Sequence, residues 1–131
     1  MSRLKKDLAT AAAIGISAIL LFYGFSCLSI YTGIKDISAE ASSAYGGDKV
    51  SALMAFIDDE ERELAERNRA VWALGQIGDA RALPALEKRY TGESCDHDRF
   101  LCQYELKKAI RKCRGSVNLT SWVNGFALKS R

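Results

Sequence analysis

A long run of uncharged residues near the start of the sequence constrains this chain more than any other feature. From Leu8 to Ile34 there are 27 consecutive residues without a charged side chain. A helix needs roughly 20 apolar residues to cross the ~30 Å hydrocarbon core of a bilayer, so this run is long enough. The Gly, Ser and Thr residues within it are compatible with a membrane helix. We therefore predict a single transmembrane helix at residues 8–34.

Charged residues beside this run predict its orientation. Three basic residues, Arg3, Lys5 and Lys6, precede it, but only one acid, Asp7. Because Lys and Arg accumulate on the cytoplasmic side of a membrane helix, residues 1–7 are predicted to be cytoplasmic. The C-terminal domain is then predicted to be periplasmic or extracellular.

A cleaved signal peptide is the alternative to a membrane anchor. Ala39-Glu40-Ala41 has the small residues of a cleavage site. The apolar region of a signal peptide, however, is typically about 7–15 residues long, and here Lys35 and Asp36 separate the apolar run from the site. We expect an uncleaved anchor.

Composition excludes several classes of protein. The chain of 131 residues is 48% hydrophobic and 27% charged, close to a globular average, which excludes wholesale disorder. A net charge of +3 is too small for a dedicated nucleic-acid binder. The single histidine argues against a His-based catalytic triad and against a site built from several histidines.

The sequence beyond the apolar run divides into a linker and a helical domain. Residues 35–48 are mostly small and polar and contain the pair Gly46-Gly47, which predicts a short linker with a turn. Residues 49–131 carry apolar side chains at helical spacing and no alternation typical of strands, so the predicted fold is all-α. The first apolar stripe consists of Val50, Leu53, Met54 and Ile57.

Residues 58–86 predict helices joined by a tight turn. Asp58 to Glu61 are four consecutive acids, which favour a helix N-terminus because the helix dipole is positive there. Gly78 can take the left-handed conformation after one helix, and Asp79 can cap the next. Pro84 is compatible with a helix only near its start.

Part of this pattern repeats along the chain. Ala73-Leu74 recurs 36 residues later as Ala109-Ile110, and at the same offset Cys113 takes the position of Ile77. Offsets of this size are typical of helix-pair repeats. Residues 49–131 are therefore predicted to form about two and a half helix pairs, starting in the middle of a repeat.

The stretch at residues 73–86 carries a more specific pattern. Its sequence, Ala-Leu-Gly-Gln-Ile-Gly-Asp-Ala-Arg-Ala-Leu-Pro-Ala-Leu, resembles the HEAT-like repeat of bacterial, bilin-lyase-like proteins. The resemblance implies a short α-solenoid, in which Gly75 lets paired helices pack closely while Asp79 and Arg81 organise the turn. It extends over residues 63–90 and weakens on either side.

Cysteines supply the main candidates for chemistry. Cys95, His97 and Cys102, with Cys113, could bind zinc, but Cys102 and Cys113 lie roughly 16 Å apart along a helix. Cys95 and Cys102 could instead form a disulfide, which a periplasmic or extracellular location permits. All the cysteines could also be reduced, with Cys113 buried in the core. These alternatives stay open; of the three we predict the disulfide, with no metal and no cofactor.

Two further groups could form an interaction surface. One group is a set of basic residues near the end of a helix. Cations are favourable at a helix C-terminus, which is enough to explain their position. The alternative is that they form a binding surface for phosphate, an acidic partner or lipid head groups. Trp122 and Phe126 could cap the solenoid or stay exposed for a partner. The basic set consists of Lys107, Lys108, Arg111, Lys112 and Arg114.

These features predict a non-catalytic protein. The sequence contains no glycine-rich phosphate loop, nucleophile elbow or paired-carboxylate motif. We predict a membrane-anchored protein–protein interaction module, such as an accessory subunit or assembly factor, with a membrane-associated protein partner and neither nucleic acid nor a small-molecule substrate. The alternatives are a HEAT-like lyase or other enzyme component, and binding of an anionic lipid or nucleic acid through residues 107–114.

Overall fold

The computed structural model describes residues 2–96 and 98–116. Within these residues the chain forms five α-helices and no strand, which confirms the all-α prediction. A 3-10 turn at Ala80–Ala82 leads into the fourth helix. The helices are α1 (Arg3–Tyr45), α2 (Lys49–Asp58), α3 (Leu64–Ile77), α4 (Leu83–Glu87) and α5 (Gln103–Cys113).

The first helix, α1, contains the apolar run. It has 43 residues, about 65 Å at 1.5 Å per residue. Its large apolar side chains are exposed from Leu4 to Leu28. The length and apolar composition of α1 therefore make it a candidate membrane span. An N-terminal signal sequence can have the same length and composition.

The predicted linker at residues 35–48 is instead helical as far as Tyr45, so the prediction of a tether is wrong there. Ile34, Ile37 and Ala41 are fully buried at spacings that put them on one face of α1. This face packs on α2 and α3, which compensates for the small, polar composition of the segment. The turn is found at Gly46-Gly47, where both glycines have positive φ.

One apolar core joins the helices. α1, α2 and α3 pack against one another, while α3 and α4 both pack against α5. The core's largest fully buried side chains beyond α1 are Leu53, Phe56, Ile57, Val71, Leu74, Leu86 and Leu106. The C-terminal part of α1 packs on α2, and α3 packs chiefly on α5 and α2, so the packed domain begins in α1 and not at residue 49, where the sequence placed its start.

The acids at residues 58–61 do not begin a helix, so that prediction is wrong. Asp58 ends α2, and α3 starts only at Leu64. Two of these acids contact distant parts of the chain: Asp58 forms an ion pair with Arg89 of the segment after α4, and Asp59 accepts a hydrogen bond from the Tyr45 hydroxyl.

Candidate functional site

The turn between α3 and α4 contains most of the residues that the repeat pattern singled out. Gly78 ends α3 in the left-handed conformation, with φ +69°, and its N–H donates to the Leu74 carbonyl oxygen at 2.9 Å. The Asp79 carboxylate accepts from the backbone N–H of Arg81 at 2.9 Å and from its guanidinium at 2.9 Å. Pro84 follows at the start of α4, where it needs no N–H.

The charges at this turn form a small network. Arg81 bridges Asp79 of its own turn and Asp48 at the start of α2, at 2.9 Å in both cases. Hydrogen bonds from Arg81 hold the pKa of Asp79 below its ordinary value. The network ties the turn to α2, which is a structural role.

Gly75 lies at the closest approach of α3 and α5. A Cβ atom on Gly75 would lie 2.9 Å from the Ala109 Cα, closer than real Cβ atoms come to backbone. The two helices can therefore pack at this distance only if residue 75 has no side chain.

The five basic residues of the predicted interaction surface do not form one uniform patch. Lys107 and Arg111 are exposed, whereas Lys108 forms an ion pair with Glu105 at 3.1 Å. Burial and the neighbouring Lys108 lower the pKa of Lys112. Two cations therefore remain available on the outer face of α5 without an ion pair among the described residues.

A shallow groove lies beside these two cations. Its volume is about 690 Å³, within the range of ligand sites, and it runs between the end of α4 and the outer face of α5. Arg114 on its rim is paired with Glu87 at 2.6 Å. The groove is lined by Glu87, Tyr90, Lys107, Ile110, Arg111, Arg114, Gly115 and Ser116. Trp122 and Phe126, the other predicted surface residues, lie outside the described part of the chain.

The cysteines are all free thiols, so the predicted disulfide is not formed in the structure. The Cys95 and Cys102 sulfurs touch at 2.9 Å, beyond the ~2.05 Å of an S–S bond. Cys113 is buried at the core position expected from the repeat, and burial raises its pKa to about 11. Among the described residues, which omit His97, no group of three or more ligand-type side chains could hold a metal.

Comparison with known families identifies the centre of the domain. The family profile of PBS lyase HEAT-like repeats matches residues 66–90. This segment is a PBS lyase HEAT-like repeat. The HEAT-like repeat comprises most of α3, the 3-10 turn and α4, and it confirms the resemblance carried by residues 73–86. No curated protein and no solved structure matches the chain.

Two polar residues that the sequence did not single out hold the segment that follows the HEAT-like repeat. The Asn68 side chain accepts from the Cys102 N–H at 2.8 Å. The buried Gln103 side chain accepts from the Thr91 N–H at 2.8 Å and donates to the Leu101 carbonyl at 3.1 Å. No local pattern marks these residues, because their partners lie up to 34 residues away.

Proposed function

We propose that this protein is a non-catalytic, single-pass membrane protein whose HEAT-like repeat domain binds a membrane-associated protein, as an accessory subunit or assembly factor does. HEAT repeats generally mediate protein binding, and the exposed apolar part of α1 suits a lipid environment. The basic residues before the span favour a cytoplasmic N-terminus and a repeat domain on the other side.

The unbroken α1 helix is the observation that carries this proposal. The same helix exposes apolar side chains as far as Leu28 and buries Ile34 and Ile37 in the domain. At the junction, the Trp72 ring of α3 lies against Gly33, 3.3 Å from where a Cβ would stand. An anchor that is also part of the core holds the domain at a defined distance from the membrane, which suits a subunit that meets a partner there.

The groove beside α5 is our proposed docking surface. Lys107 and Arg111 supply positive charge on its rim, and Tyr90 and Ile110 supply apolar surface. A partner segment that carries acidic residues beside one apolar side chain complements this arrangement. Opposite charges would steer the partner to the groove, so binding should weaken as ionic strength rises.

Photocrosslinking in native membranes tests this surface. We replace Tyr90, an exposed groove residue, by a photoreactive phenylalanine and compare two charge reversals of equal size. Lys107→Glu with Arg111→Glu should abolish the crosslink to protein. The control, Lys49→Glu with Arg69→Glu, alters exposed cations elsewhere and should leave it unchanged.

Two results would contradict the proposal. If the protein crosslink survives Lys107→Glu with Arg111→Glu, the charges of the groove do not contribute to binding of the partner. A crosslink to lipid or nucleic acid alone, lost in the same variant, supports the alternative of an anionic ligand instead of a protein partner.

A further inference from the structure

The loop between α4 and α5 brings two thiols into contact. Cys95 is half-buried in the loop, and Cys102 is buried immediately before α5. Their sulfurs lie 2.9 Å apart, so an approach of about 0.9 Å would bring them to bonding distance. No other cysteine has this arrangement: Cys113 is buried with its thiol directed at the Leu74 carbonyl oxygen, 3.6 Å away.

The two sulfurs have different surroundings at the start of α5. Tyr104 lies in the first turn of α5, where backbone N–H groups have no acceptor within the helix. Its N–H donates to the Cys95 sulfur at 3.2 Å. The Cys102 thiol and this N–H lower the pKa of Cys95, whereas burial raises the pKa of Cys102. Cys95 is also the more accessible of the two. Accessibility and thiolate character together make a cysteine reactive toward disulfides.

We propose that Cys95 and Cys102 form a redox-active dithiol, in which Cys95 attacks a small disulfide oxidant and Cys102 resolves the mixed disulfide. Thiol–disulfide exchange gives a balanced reaction with oxidised glutathione as the oxidant. The Cys95 thiolate attacks one glutathione sulfur and releases the first glutathione as a thiolate. The deprotonated Cys102 then attacks the Cys95 sulfur and releases the second. The protein loses two electrons and two protons, and the oxidant becomes two glutathione thiols.

Hydrogen bonds restrain both ends of the loop that contains the two thiols. Asn68 fixes the backbone of Cys102, and Gln103 fixes Thr91 at the beginning of the loop. Restraint at both ends keeps the sulfurs near each other, which raises the effective concentration of one thiol at the other. The resulting intramolecular disulfide would close a loop of eight residues between α4 and α5.

A redox titration of the full chain in detergent tests the proposal without using the partner. After equilibration in buffers of varied reduced and oxidised glutathione, remaining thiols are alkylated and each cysteine is examined by peptide mass spectrometry. In the wild type, Cys95 and Cys102 should change from the alkylated form to a Cys95–Cys102 disulfide. Cys113→Ser, the matched control, should give the same curve because this thiol lies outside the pair.

Single variants separate the attacking from the resolving thiol. Cys102→Ser, and independently Cys102→Ala, should accumulate glutathione on Cys95, whereas Cys95→Ser should leave Cys102 unmodified. Circular dichroism checks that each variant remains helical. The proposal is overturned if the pair stays reduced at every glutathione ratio, if Cys102 is the residue modified first, or if the wild type stops at the mixed disulfide. None of these outcomes depends on whether the groove binds a protein.

Discussion

At the scale of single residues, two glycines of the HEAT-like repeat have separate physical requirements. Gly78 has a positive φ at the end of α3, which L side chains rarely adopt. Gly75 has ordinary helical backbone but lies against Ala109 of α5. The sequence identified both positions, one from the rules for helix ends and the other from the family resemblance. The identity of the neighbour, α5, came only from the structure.

Substitution of Gly75 tests the close approach of α3 and α5. We expect Gly75→Ala to lower the free energy of unfolding of the domain by about 1–3 kcal/mol, because the new Cβ meets backbone that cannot move aside. Chemical denaturation in detergent measures this change. Gly24→Ala adds the same methyl group where no atom lies within 4 Å, so it should leave the unfolding of the domain unchanged. Equal stability of Gly75→Ala and the wild type would contradict the close contact.

At the scale of elements, α1 has two different environments along its length. Its exposed apolar part and its buried C-terminal part belong to one helix with no break at the charged pair Lys35-Asp36. The local composition of residues 35–48, rich in Ala, Ser and Gly, predicts a linker there instead. The burial that decides the helix comes from α2 and α3, so no local window contains the information.

The junction between α1 and α3 is open to a direct test. Gly33→Leu should displace the Trp72 ring, because a Cβ at residue 33 would already lie 3.3 Å from it. We expect faster hydrogen exchange in residues 34–45 and a lower melting temperature of the domain. Thr32→Leu adds a side chain of similar size at the adjacent exposed position and should have little effect. Unchanged exchange in Gly33→Leu would show that the junction contributes nothing to the docking of α1.

At the scale of the whole molecule, the packing of α1 bears on whether the chain is cleaved. The small-residue site at Ala39-Glu40-Ala41 lies inside α1, with Ala41 fully buried. Glu40 forms an ion pair with Arg62 at 2.8 Å. Cleavage there would remove Ile34 and Ile37 from the core, so we expect the domain to need the residues that a signal peptidase would release.

We therefore expect the mature protein to retain α1. Peptides that span residues 39–41 should be recovered from protein isolated from its native membranes, and the protein should resist alkaline extraction. Ala39 is exposed, so Ala39→Leu removes the small residue that a peptidase needs without disturbing the core, and the mature mass should change only by the substitution. A wild-type protein beginning near Ser42, and a longer Ala39→Leu protein, would contradict retention.

The sequence by itself determined the features that depend on neighbouring residues: the long apolar run, the helical class, the turn at Gly78 and Asp79, and the HEAT-like repeat. Each follows from local periodicity, backbone conformation or a short motif. The tertiary structure alone decided the extension of α1, the pairing of Asp58 with Arg89, the groove beside α5 and the contact of two free thiols. These features depend on side chains brought together from distant parts of the chain. Their energies come from burial and contact between elements, which local sequence patterns do not record.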